Sequence, residues 1–81
     1  METRVAIASI IVEDPESVAL LNELLHEYRS YIIGRMGIPY REKGISIISI
    51  AMDAPQDVIN AMAGKVGRLK GVTAKTIYSS F

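Results

Sequence analysis

Ile7-Ala8-Ser9-Ile10-Ile11-Val12-Glu13-Asp14-Pro15-Glu16-Ser17-Val18 and Ile47-Ile48-Ser49-Ile50-Ala51-Met52-Asp53-Ala54-Pro55-Gln56-Asp57-Val58 follow one pattern. They align at an offset of 40, where Ile7, Ser9, Ile10, Pro15 and Val18 fall on Ile47, Ser49, Ile50, Pro55 and Val58. In each stretch a run rich in β-branched residues, which suit a pleated strand, gives way to a proline, which suits the start of a helix. The chain therefore reads as two β-α-β halves.

Working outward, Arg4 to Val12 predicts a strand, apolar on both alternating sets apart from Ser9 and so buried on both faces. Asp14-Pro15 reads as an N-cap followed by proline at the first helical position. Val18, Leu21, Leu25 and Tyr28 then recur at helical spacing, predicting a helix near Asp14 to Ser30. Tyr31 to Ile38 is a weaker strand broken by Gly34 and Gly37, and Pro39 to Lys43 joins it by a hairpin to a stronger strand, Gly44 to Met52. Ala54-Pro55 opens a second helix running to Lys70 with Val58, Met62, Val66 and Leu69 on one stripe, Gly71 takes the C′ position, and Val72 to Ser79 is the last strand. Right-handed crossovers in two interleaved β-α-β halves give an α+β, ferredoxin-like β-α-β-β-α-β sandwich, with antiparallel sheet order 4-1-3-2 and both helices on one face. The first and third strands, the most apolar, are central; glycine and charge in the second and Lys75 in the fourth suit edges.

Because the offset is even, equal parity means equal face. One face carries Ala6, Ala8, Ile10, Val12, Ile48, Ile50 and Met52; the other carries Val5, Ile7, Ser9, Ile11, Ile45, Ile47, Ser49 and Ala51. Only one can meet the helices, and the second set, which holds both serines, is expected outward. It would then expose a contiguous aliphatic patch, which monomers rarely leave in water. A homo-oligomer, dimer or tetramer, with Ile7, Ile11, Ile45 and Ile47 at its interface follows. With 81 residues the chain is expected to be one domain, 1–81, and a chain this short gains stability by associating.

The inventory narrows the chemistry. There is no cysteine, so thiolate metal sites, disulfides and a cysteine nucleophile are out. His26 is the only histidine, and no triad or pair of catalytic carboxylates stands out. We therefore expect no catalytic residues, no metal, no cofactor and no enzymatic activity. Nine basic and nine acidic residues cancel, and Lys43-Gly44-Ile45-Ser46-Ile47-Ile48-Ser49-Ile50 lies in the frame of an RNA-recognition strand with isoleucines where stacking aromatics belong. No direct nucleic-acid binding is expected. With no long apolar run and no basic leader before an h-region, neither a membrane nor a secreted location is expected, and the chain reads as cytoplasmic.

One segment resists a purely structural account. Gly34-Arg35-Met36-Gly37-Ile38-Pro39-Tyr40-Arg41-Glu42-Lys43-Gly44 gathers glycines and cations around one hairpin. In one reading it is a twisted hairpin with a solvated basic tip, or one that docks on another subunit. In the other it binds a small-molecule effector: Gly34 and Gly37 let backbone approach the ligand, Arg35 and Arg41 clamp an anion, and Tyr40 covers an apolar body.

This run, with Ile45-Ser46-Ile47-Ile48 and Asp53-Ala54-Pro55-Gln56-Asp57-Val58 after it, resembles the family of suspected regulators of the iron-only hydrogenase system, across nearly the whole chain. The resemblance implies a small ferredoxin-like domain akin to ACT regulatory modules and to the C-terminal domain of the nickel-responsive repressor. It also implies a role in controlling hydrogenase genes or maturation. The nickel repressors use several histidines and a cysteine where this chain has His26 alone, so nickel sensing is not implied. Those repressors also carry a DNA-binding segment ahead of the sensor domain, whereas three residues precede the first strand here, so direct DNA contact is not expected. The expected function is a non-enzymatic regulatory or ligand-sensing homo-oligomer; the alternative is a structural protein-protein interaction module without a small ligand.

Overall fold

In the computed structural model, which describes residues 2–80, the sheet is antiparallel throughout and its strands lie in the order β2-β3-β1-β4. This is 4-1-3-2 read from the other edge. The elements are β1 (Arg4–Val12), α1 (Ser17–Glu27), β2 (Ile32–Tyr40), β3 (Ile45–Ala54), α2 (Gln56–Gly67) and β4 (Val72–Tyr78), with single 3-10 turns at Arg29–Tyr31 and Arg41–Lys43. Alternation decides which face is covered. Ala6, Ala8, Ile10 and Val12 of β1 and Ile48, Ile50 and Met52 of β3 are buried against Leu21, Leu24 and Leu25 of α1 and Ile59, Met62 and Val66 of α2. The set holding Ser9 and Ser49 faces away from the helices, as the parity argument expects. Burial of β1 on both faces does not hold within one chain, because Val5, Ile7 and Ile11 are left half-exposed.

Both helices are shorter than their sequence patterns predict, for reasons visible at their ends. Asp14 does not cap α1. Its Oδ1 accepts from Glu16 N at 3.0 Å, an Asx turn that competes with helical hydrogen bonding, and Glu16 takes the cap position without a side-chain bond. Pro55 sits before α2 rather than inside it, with extended backbone at ψ 148 and its carbonyl accepting from Val58 N and Ile59 N. The α2 helix stops at Gly67, and residues 68–71 turn back toward β4. The second strand starts at Ile32 and continues through Pro39 and Tyr40, which the sequence reading assigned to the connection. Its register slips by one residue between Ile32 and Gly34, so Ile33 bulges out of the ladder.

The turn after α2 is fastened to the start of α1 at two points. Ser17, the one polar residue buried among those described, donates its hydroxyl to the Lys70 carbonyl. Glu13 N donates to the Gly71 carbonyl at 2.7 Å. Ser17→Ala removes a donor from a part-buried carbonyl, and we expect a loss of about 1 kcal/mol. A thermal scan should register that as a melting temperature lower by about 4 to 8 °C; an unchanged transition would mean that solvent replaces the hydroxyl. At the opposite end Arg4 ties three elements together. Its guanidinium donates to Gln56 Oε1 and to the Ser79 carbonyl, each at 2.8 Å, and lies 4.7 Å over the Tyr78 ring. Between the helices Lys65 lies 5.2 Å over the Tyr28 ring and 3.6 Å from Glu27. Tyr28 first, and Glu27 less, raise its pKa above the ordinary lysine value.

Candidate functional site

The register places the outward residues in rows that cross all four strands. Ile38, Ile47, Ile11 and Thr73 form one row; Met36, Ser49, Ser9 and Lys75 the next; Gly34, Ala51, Ile7 and Ile77 a third. Ser9 lies directly opposite Ser49, so short hydroxyl side chains form a trough between two aliphatic ridges. A depression of about 380 Å³ opens there, walled by Ile11, Ile47, Thr73 and Lys75. The ridges are accessible: Ile7 is 43% exposed, Ile11 42%, Ile38 45% and Ile77 66%, and Met36 at the end of the trough row is 53% exposed. Of the four residues expected at an interface, Ile7 and Ile11 are thus open to solvent, and Ile45 and Ile47 are partly so. Met36, Ile38 and Ile77 extend the patch and were not singled out from sequence. The pairing of Tyr40 with Ile45 extends the parity of β3 into β2 and would have found the first two.

The five residues of the suspected ligand site do not share one surface. Arg35 and Gly37 of β2 face the helix side, opposite the inward Ile50 and Ile48, whereas Gly34 and Tyr40 face outward, opposite Ala51 and Ile45. Tyr40 Oη lies 3.3 Å from Glu42 Oε2 and donates to that carboxylate across the strand tip. Arg41 lies in the 3-10 turn that follows, beside a depression of about 190 Å³ shared with Val12, Pro15 and Val18. Six residues of extended strand place Arg41 about 20 Å from Arg35. The two guanidiniums therefore border different hollows, and one clamp formed by both within a single chain is not what the geometry offers.

Arg35 instead faces α1. Its Nη2 donates to Asn22 Oδ1 at 3.2 Å, and it borders a hollow of about 220 Å³ with Asn22, Leu25, His26, Arg29 and Ile32. Asn22 and Arg29 were not singled out, and His26, considered only as a metal ligand, reappears here as a wall. The link between β2 and α1 depends on the crossover, which brings the strand's inward parity opposite the exposed flank of the helix. Among the described residues no three His, Asp or Glu side chains converge on one point, and no helix is long and apolar enough to cross a membrane.

A four-stranded antiparallel sheet with two helices on one face and an uncovered aliphatic face on the other is a ferredoxin-like α+β domain. The chain belongs to the TM1266-like family, described as "Iron-only hydrogenase system regulator, putative", whose model matches residues 4–76. The solved structure of uncharacterized protein TM1266 from Thermotoga maritima is similar over 95% of this chain and 98% of that one, with 36% identity and a TM-score of 0.91. Two more distant structures share the fold alone. A formyltetrahydrofolate deformylase from Pseudomonas putida KT2440 matches at TM-score 0.65 and 15% identity, over 90% of this chain and 28% of that one. The de novo designed protein Foldit4 matches at TM-score 0.63 and 13% identity, over 99% of both. No curated protein matches the sequence.

Proposed function

We propose that this chain is a non-enzymatic regulatory domain of the iron-only hydrogenase system that works as a homo-oligomer, its copies packed through the uncovered sheet face. A small effector held on the helix side of β2 would alter how the copies pack. The observation that carries the proposal is the pair of aliphatic ridges flanking the Ser9–Ser49 trough. A ridge set beside a trough is self-complementary, as a twofold interface requires, because rotating one copy lays its ridge into the other's trough. The regulatory part rests on family membership, and the assembly part on the amount of apolar surface left in water.

The absence of cysteine makes a clean test available. Ser49→Cys puts one thiol in the trough, and Asp57→Cys puts one on the exposed flank of α2. A short bifunctional thiol reagent should join Ser49→Cys chains in pairs and leave Asp57→Cys chains single at the same concentration. Equal cross-linking of both variants would remove the sheet face as the contact.

A further inference from the structure

We infer that the crevice between α1 and β2 binds a small aliphatic carboxylate, with its head group on Arg35 and Arg29 and its chain lying over Gly37. This deepens the effector part of the proposed function and rests on it. Two hollows meet at Arg35. The first, about 220 Å³, is lined by Asn22, His26, Arg29 and Arg35 over a floor of Leu25 and Ile32. The second, about 230 Å³, shares Asn22 and Arg35 and is otherwise walled chiefly by Val18, Gly37, Pro39 and Ile48. One hollow is cationic and the next apolar, which matches an amphiphilic anion rather than a bare one.

The cations are available. Arg35 gives one hydrogen bond, to Asn22, and Arg29 gives one, to the His26 carbonyl at 2.9 Å. Among the described residues the other N–H donors of each guanidinium meet no acceptor. Nor is either charge neutralised: the ion pairs among the described residues are Lys65–Glu27 and Lys70–Asp14, so Glu27 is engaged toward α2 and Glu23 pairs with neither arginine. A planar guanidinium with free N–H groups is matched by a carboxylate, which it binds through parallel hydrogen bonds. Asn22 fixes the Arg35 head in place, so part of the ordering cost is met before a ligand arrives.

Gly37 makes room for the chain. A Cβ built there meets nothing within 4 Å, so this stretch of β2 lies open beneath the ligand. Each hollow holds about seven water-sized groups, enough for a short organic acid.

The test uses the full chain with butanoate and hexanoate as probes, following the Asn22 side-chain amide and the Arg35 Nε–H by NMR. Both acids should shift these signals saturably, and hexanoate should bind on the order of tenfold more tightly for its two further methylenes. Arg35→Met should weaken both acids at least tenfold. Gly37→Val, at an unstrained and open position, should bring hexanoate down to the level of butanoate and leave butanoate unchanged. Signals that do not move through the millimolar range, or an Asn22 amide signal that moves equally in all three proteins, overturn the site. Sulfate acting as strongly as hexanoate overturns the aliphatic carboxylate as its ligand. The oligomeric state of the same samples is read by sedimentation. An oligomer without these shifts removes this site and leaves the assembly reading standing, whereas a monomer with them removes the assembly and keeps the site.

Discussion

Gly71→Ala is expected to lower the melting temperature by roughly 10 °C or more. Two costs coincide at this position. Its φ of +69 lies in the left-handed region, where a side chain costs about 1 to 3 kcal/mol. A Cβ would also come within 2.7 Å of Asp14 Cβ and 3.0 Å of Asp14 N, a collision worth about another 1 to 3 kcal/mol. The Asp14 backbone cannot retreat freely, because Glu13 N is bonded to the Gly71 carbonyl and Ser17 holds Lys70 next to it. A domain of this size has a total stability of roughly 4 to 12 kcal/mol, so the variant would be close to unfolding. Gly64→Ala is the control. That glycine lies inside α2 with open space around its would-be Cβ, and alanine there should stabilise by about 0.5 to 1 kcal/mol. Scans of both variants at one protein concentration decide the matter: similar transitions for the two would mean that the Gly71 turn relaxes at little cost.

Ile47→Asp should have the largest effect on assembly. Ile47 lies at the centre of the first ridge, between Ile38 on one side and Ile11 on the other. Burying the exposed part of such a side chain contributes up to about 1 kcal/mol, and a twofold contact counts each residue twice. A carboxylate at that point would be desolvated with no partner, at a cost of several kcal/mol. The Ile47 side chain is itself partly exposed in the single chain, so aspartate is tolerated in a separated monomer far better than at a buried core position such as Ile50.

Much of the fold was legible because the two halves repeat. The even offset fixed the relative parity of β1 and β3, and the serines at 9 and 49 indicated the outward set, which is the set the structure exposes. Element ends were less legible, since Asp14 reads as a cap and Pro55 as the opening of a helix, yet Asp14 makes an Asx turn before α1 and Pro55 is itself the extended cap residue before α2. The bulge at Ile33 leaves no mark in composition, and it switches the parity of β2, so that Ile32 lies opposite the inward Met52 while beyond the bulge Arg35 and Gly37 lie opposite the inward Ile50 and Ile48. The suspected ligand residues lie next to one another in sequence but not in space. Extended backbone sends Arg35 and Tyr40 to opposite faces, and the residues that share the hollow of Arg35, Asn22 and His26 of α1 and Arg29 of the turn after it, are brought near only by the crossover. Ser17 was missed because a lone serine in a helix gives no local sign that the Lys70 carbonyl waits across the fold.

Sedimentation equilibrium of the wild-type chain beside Ile47→Asp, at micromolar concentration, decides whether the outward sheet face joins copies of this chain. The expected result is a wild type of two or four times the chain mass of 8.9 kDa, and a variant shifted to the single-chain mass or driven to aggregate. A wild type sedimenting cleanly as one chain, or an oligomer that Ile47→Asp leaves unchanged, would contradict it.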